Sequence, residues 1–408
     1  MPIYPLPAVE RAMKRMEVIT RALSGQLTWI QAAEILGVTP RTLRRWKTRW
    51  QHGGYDGLLD RRTGQPSPKR APLEEVQRIL RLYREAYTGF NVAHFYSLVT
   101  REHGVSLSYC FVRKALQAAG LVKKARQRGR HRTRRPRREC FGELVHLDGS
   151  RHRWLALMPE QFLTLVVFAD DATGRLLYAQ FWAAESTQAA LTALFEGMKR
   201  YGVPQSLYTD RAGWAFYTPK AKGPVDKNRL TVVGQVLARL GVEHIPGYSP
   251  QARGRSERIN GTIQGRLVNE LRLRRIATVE EANRYLREVF VPRYNDEFGH
   301  APLDEQSAFV PVDEAELVEA FAIEVPRVVG KDNVVSIDGL ALQISRQPGR
   351  TSCAGLKVTA RRYLTGEYAV TWGRRLLGCY DAQGNPMPSA SALGVALASA
   401  YGLRDRAA

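Results

Sequence analysis

Apolar residues recur at three- and four-residue spacing through the first third of the chain, as expected of helices. In "LTWIQAAEILGVTPRTLRRWKTRWQ" (27–51), Ile30, Ala33 and Leu36 mark a first helix, which stops at Gly37. A second restarts at Thr39-Pro40, a capping residue followed by the residue best suited to the first helical position. Leu43 and Trp46 then face back toward the first helix, and the small Ala33 with Gly37 lets the two cross closely, the pattern of a helix-turn-helix. Segments 73–87, 91–104 and 108–120 predict three more helices, the last capped by Ser108 and closed by Gly120, and read as a second unit of the same kind.

From residue 142 the period falls to two. Segments 142–149, 162–171 and 174–183 predict strands, with Asp171-Ala172-Thr173-Gly174 as a tight hairpin. A helix over 186–201, a strand over 206–210, a helix over 229–240, a strand over 242–247 and helices over 254–272 and 279–290 follow. Three antiparallel strands continued by alternating helices and strands make a mixed-sheet α/β domain. Beyond Pro326 short strands return and predict a small β-barrel of SH3-like size, with an Ala/Ser-rich loose tail from Ser389. The chain is thus expected to be multidomain α/β. A helix-turn-helix domain spans 10–60, a Pro-rich linker 61–72, a second helix-turn-helix 73–122, a basic linker 123–139 and the core 140–302. A connecting segment (303–329), the barrel (330–384) and the tail (385–408) complete it.

Composition narrows the partners. Of 408 residues 44% are hydrophobic, so the chain can build real cores, yet 61 Lys+Arg against 39 Asp+Glu give a formal charge of +22. Such an excess is an argument about polyanionic partners, DNA first. The longest apolar run, "FLTLVVFA" (162–169), is too short to span a bilayer, and the first residues show no signal-peptide pattern. A cytoplasmic, nucleoid-associated protein is expected, with no membrane partner. Cys110, Cys140, Cys353 and Cys379 have neither zinc nor disulfide spacing. Arg41, Arg44, Arg45, Lys47 and Arg49 on the second helix of the first unit would enter the major groove of double-stranded DNA. The linker "KKARQRGRHRTRRPRR", with Arg126, Arg128 and Arg130, has no apolar face and would follow phosphates with strongly salt-dependent affinity.

Three carboxylates occupy distinct places in the α/β region. Asp148 ends the first strand, Asp210 ends the fourth, and Glu257 opens the helix of "QARGRSERINGTIQGRL" among Arg253, Arg255 and Arg258. Brought together they would repel one another unless a cation held them, and hard oxygen ligands suit Mg²⁺ or Mn²⁺. Two such ions support in-line phosphoryl transfer. Asp170 and Asp171 are rivals for the first position, but aspartates are common on hairpin turns for backbone reasons. His146, His152 and His244 could act as bases, although lone histidines in strands are more often packed. Ser150 lacks the glycines of a nucleophile elbow, and there is no P-loop.

"HLDGS", "YTDRAG" and "SPQARGRSERINGTIQGRL", in that order behind a helix-turn-helix, resemble the DDE transposases of bacterial insertion sequences with a retroviral-integrase-like catalytic core. "FADDATGR" and "RLVNELRL" resemble in particular the ISNCY-like group. The resemblance implies an RNase H-like core in which Asp148, Asp210 and Glu257 form the catalytic, metal-binding triad with two ions. It also implies a homo-oligomer on DNA that cleaves at terminal inverted repeats and transfers the strand. The 47-residue step from Asp210 to Glu257 exceeds that of integrase-like enzymes, and "YTPKAKGPVDKNR" (217–229) looks like the insertion responsible. Relatives carry a Lys or Arg two turns after the catalytic Glu to grip DNA. This chain has Gln264, leaving Arg258 or Arg266 as alternatives, and Arg211 stands where relatives often have Asn. The competing readings are a non-catalytic DNA-binding repressor and a metal-dependent nuclease without strand transfer.

Overall fold

A computed structural model describes residues 6–59, 71–124, 136–220, 223–226, 228–248 and 250–401. The chain divides into two compact units, 1–79 and 80–408.

The first unit holds α1 (Leu6–Leu23), α2 (Trp29–Ile35) and α3 (Pro40–Gly53). Thr28 and Gln31 form a reciprocal capping box at the start of α2, and the Thr39 side chain accepts from the Thr42 N–H with Pro40 at the start of α3, so both helix starts are written locally. Leu43 is fully buried with Ala33, Ala12 and Ile19. Ile30, expected to face inward, is 65% exposed, because Ala32 and Ala33 supply the inner face of so short a helix. The helix α1 has no counterpart among the predicted elements.

Next come α4 (Leu73–Glu85), α5 (Val92–His103) and α6 (Tyr109–Ala118), with Asn91 and Ser108 as N-caps of the last two. The core then runs β1 (Cys140–Phe141), β2 (Val145–His152), β3 (Leu163–Asp170), β4 (Leu176–Trp182), α7 (Thr187–Tyr201), β5 (Ser206–Thr209), α8 (Val232–Arg239) and β6 (Glu243–Pro246). It continues with α9 (Pro250–Leu273), α10 (Val279–Tyr285) and α11 (Val291–Phe298). Five strands form one sheet in the order β4-β3-β2-β5-β6, antiparallel from β4 to β2 and parallel from β2 to β6.

Both faces of this sheet are covered, which explains the unbroken apolar run of β3, buried at every position. Val145, Leu147, Val166 and Phe168 pack with α7 and α8. Leu165, Val167 and Ala169 pack with Ile259, Ile263, Leu267 and Leu271 of α9 and with α10 and α11. Strand alternation therefore assigns His146, Asp148 and Ser150 to the α9 face.

The C-terminal region departs from expectation. After β7 (Asp304–Ser307), which pairs with β1, and α12 (Glu314–Ala320), strands β8 (Ile323–Val328), β9 (Val334–Ile337), β10 (Leu340–Gln343), β11 (Lys357–Arg362), β12 (Tyr368–Trp372) and β13 (Arg375–Tyr380) follow. The first of them lies within the segment expected to be a connection. They do not close into the expected barrel. Instead β13-β12-β11-β8 is an open antiparallel sheet and β9-β10 a separate hairpin, the two sharing one core of Val335, Ile337, Leu342, Val358, Ala360 and Val370. The Ala/Ser-rich tail is a helix, α13 (Ala390–Tyr401), because Leu393 and Leu397 have an apolar surface to bury against. No helix among the described residues is long and apolar enough to cross a membrane.

Candidate active site

Strands β2 and β5 run parallel, with Val145 opposite Leu207, His146 opposite Tyr208 and Leu147 opposite Thr209. One step further, Asp210 follows the end of β5, whereas Asp148, expected to end its strand, lies within β2, which runs on to His152 paired with β3; both are half-buried and share one side of the sheet. The Asp210 carboxylate accepts from the Ala212 N–H at 3.0 Å, which turns the chain away as the strand ends. Above this point passes α9. Asn260 Nδ2 donates to Asp148 Oδ2 at 2.9 Å, and one turn further on Gln264 Nε2 donates to Ser150 Oγ at 2.8 Å. Positions 257, 260 and 264 share one helix face, so Glu257, which is exposed, sits one turn before the residue that holds Asp148. Among the described residues no three His, Cys, Asp or Glu side chains stand close enough to hold a metal ion.

Asn260 was not among the sequence candidates. Its signal was its spacing, three residues after Glu257. A second missed residue is Glu185, which accepts from Trp214 Nε1 at 2.7 Å beside the opposite face of β2. A Cβ at Gly149 would lie 2.8 Å from Glu185 Oε2, so the residue after Asp148 must be small unless Glu185 swings away.

The cationic candidates divide sharply. Arg41, Arg44, Arg45 and Arg49 line the exposed side of α3, with Lys47 half-buried beside the Trp29 ring at 5.1 Å, and Arg258 is exposed on α9. Arg255, expected to face DNA, is half-buried against the fold. It forms an ion pair with buried Asp171 and donates to the Asp171 carbonyl at 2.9 Å. Arg266 is likewise internal, 8% exposed, paired with Glu297 at 2.7 Å and stacked on Phe298. Gln264 spends its amide on Ser150. Arg126, Arg128 and Arg130 lie outside the described residues, as does the side chain of Arg253. Arg266→Ala should therefore lower stability by about 1–3 kcal/mol, the cost of a lost charged hydrogen bond, and leave DNA affinity unchanged. Urea unfolding and DNA titration of the same variant separate the two roles. A weakened affinity with unchanged stability would return Arg266 to the DNA surface.

Asp170 and Asp171 are structural. Asp170 accepts from the N–H groups of Gly142 and Thr173 and from the Thr173 hydroxyl. Burial outweighs these bonds and raises its carboxyl above the usual range. Burial also presses on Asp171, but a hydrogen bond from His146 at 2.8 Å, the His146 charge, the Arg138 N–H and Arg255 outweigh it and hold that carboxyl far below. His146 is thus a partner of Asp171. His244, lowered to about 4 by burial, is packed neutral on Phe216 and bonded to Thr209.

The C-terminal half of α9 is anchored from the helical side. Asn91, the cap of α5, donates to the Gly265 carbonyl at 3.0 Å, an approach that leaves only 3.4 Å for a Cβ at residue 265. Buried Glu270 joins His94 of α5 at 2.9 Å, Tyr285 and Arg293.

Comparison with known proteins agrees with this architecture. A helix-turn-helix domain family matches residues 14–67 and a homeodomain-like domain family residues 42–116. A putative transposase, y4bF, of Sinorhizobium fredii is 30% identical over 365 residues, covering 89% of this chain and 79% of that protein. The transposase for insertion sequence IS1202 of Streptococcus pneumoniae is 28% identical over 322 residues, 70% of this chain and 68% of that one. Among solved structures, a chain of the simian T-cell lymphotropic virus intasome in complex with PP2A regulatory subunit B56 gamma aligns over 73% of this chain and 97% of its own, at 14% identity and a TM-score of 0.32, too slight a likeness to carry weight. With close to a third of residues identical across most of both proteins, and with the helix-turn-helix region in place, the chain belongs to the transposases.

Proposed function

We propose that this transposase, of the ISNCY-like group, binds the terminal inverted repeats of its element through its helix-turn-helix units. In this reading its RNase H-like core cleaves each end and joins the freed 3′-OH to target DNA, in the cytoplasm on the nucleoid and as a homo-oligomer. The observation that carries it is the parallel register of β2 and β5, which sets Asp148 and Asp210 side by side beneath the helix bearing Glu257. The sheet order, three antiparallel strands continued by two parallel ones, is that expected of an RNase H-like core.

Asp148, Asp210 and Glu257 supply hard carboxylate oxygens of the kind Mg²⁺ or Mn²⁺ prefers, and the two aspartates already share one side of the sheet. Bound there, two ions would activate the attacking oxygen and stabilise the leaving one. The chain's own part is positional. Asn260 orients the Asp148 carboxylate, Gln264 and Ser150 hold α9 in line with β2, and Arg258 offers an exposed cation to the DNA backbone beside Glu257. Water attacks the phosphorus and the 3′ oxygen leaves with a proton. In the second step that 3′-OH attacks a target phosphodiester and displaces its 3′ oxygen, so no covalent protein-DNA bond is needed.

End-labelled terminal DNA incubated with the protein and Mg²⁺ or Mn²⁺ tests the reading, with nicking followed by joined products expected. Nicking without joining would leave a nuclease, and binding without nicking a repressor. Asn260→Ala should slow nicking by about 10–100-fold and raise the metal concentration for half-maximal rate, as loss of a ligand's supporting hydrogen bond does elsewhere. An unchanged metal requirement would remove Asn260 from that role.

A further inference from the structure

The segment after Asp210 folds back on itself. Arg211 Nη1 donates to the Gly223 carbonyl at 2.7 Å, the Asp226 N–H to the Tyr217 carbonyl at 2.9 Å, and Thr231 Oγ1 to the Ala215 carbonyl at 2.9 Å. The Val225 N–H donates to the Tyr248 hydroxyl at 3.2 Å, so adjacent residues 225 and 226 tie down both Tyr248 and Tyr217. Each tyrosine carries a guanidinium: Arg211 lies 4.9 Å from the Tyr248 ring centre and Arg229 3.9 Å from that of Tyr217. Yet the tyrosines remain 55% and 37% exposed. Tyr248 follows Gly247, whose N–H bonds to the Thr209 carbonyl at 2.9 Å, one residue before Asp210.

Two anchored, exposed aromatic rings in a cationic setting are unusual on a surface that only follows duplex phosphates. Phosphates need charge alone, whereas a ring with a guanidinium over one face and its other face toward solvent is suited to a nucleobase. Bases inside a duplex have both faces covered by their neighbours, so only unpaired ones can use it. We infer that Tyr217 and Tyr248, with Arg229 and Arg211, form a stacking shelf for unpaired nucleotides of the DNA end opened at the site. The inference rests on the transposase reading of Asp148, Asp210 and Glu257. It assigns to the insertion the separation of strands beside the scissile bond, and it makes frayed ends the preferred substrate.

The test uses the full-length chain without divalent cation and a fluorescent hairpin DNA that is either blunt or carries a short unpaired thymidine overhang. Base stacking on an aromatic side chain predicts about 5-fold or greater tighter binding of the overhang form. Tyr217→Ala with Tyr248→Ala should abolish that preference while leaving the blunt hairpin's affinity as in the wild type. Tyr248→Phe, which keeps the ring and loses only the hydroxyl, should retain it. Independently of any variant, 2-aminopurine placed in the overhang should be quenched on binding to wild type, as a stacked base is. Equal affinity for the two hairpins, an unquenched overhang, or a preference that survives the double substitution would overturn the shelf. Because no cation is present, these outcomes are separate from the nicking assay: a protein that nicks but ignores overhangs lacks the shelf alone, and one that grips overhangs but never nicks lacks the chemistry.

Discussion

Asp148→Asn is expected to lower metal-dependent nicking of terminal DNA by on the order of 10³-fold or more, while DNA affinity without metal stays within a few-fold of wild type. The substitution is nearly isosteric, and the new amide oxygen can still accept from Asn260 Nδ2, so the hold of α9 on β2 persists. What is lost is the charge that a divalent cation requires. Asp210→Asn and Glu257→Gln should behave alike. The Glu257 result matters most, because this residue is exposed and lies on α9 rather than on the sheet that carries the two aspartates. Rates within tenfold of wild type for either aspartate variant would remove the proposed chemistry from this strand pair. Such a rate for Glu257→Gln alone would move the third ligand elsewhere.

Asp171→Asn should cost about 3–5 kcal/mol of stability, the range for breaking a buried ion pair and leaving its partners uncompensated. His146 and Arg255 both depend on that carboxylate, and Arg255 lies on α9 two residues before Glu257. Nicking should therefore fall as well, through loss of the helix start rather than of a ligand. The acid limb should carry the same signature. A carboxyl held far below its ordinary value stabilises the fold fully above about pH 4 to 5, and that contribution is lost as pH falls through the window below the unfolded value near 3.9. Glu270, also lowered despite its burial by bonds from His94 and Tyr285, acts in the same direction. Asp170, raised by burial, offsets part of the effect. Urea midpoints from pH 7 to 3 should fall steeply for wild type and less steeply for Asp171→Asn. A variant within 1 kcal/mol of wild type at neutral pH would make the pair dispensable.

Elements whose signals are local were legible before any coordinates. Thr39-Pro40 and Ser108 start helices because caps act on the nearest N–H groups, and β3 was legible as a strand, although only the structure shows that both its faces are covered. The tail was misjudged because small Ala and Ser residues carry little signal, and its helix depends on a remote surface for Leu393 and Leu397. Barrel closure failed as an expectation for a related reason: short alternating strands specify hairpins and faces, but whether a sheet closes depends on the tilt and register of every strand together.

At the site, the sequence by itself determined the residue types: three acids in order, a basic insertion, and a helix rich in arginine. Only the tertiary structure decided which of those charges are spent. Arg255 and Arg266 looked identical in kind to exposed Arg258, yet their partners are Asp171 and Glu297, distant in sequence and found only in the folded chain. Charge and spacing are properties of the chain, whereas the availability of a side chain to DNA depends on what the fold has already placed within hydrogen-bond reach of it.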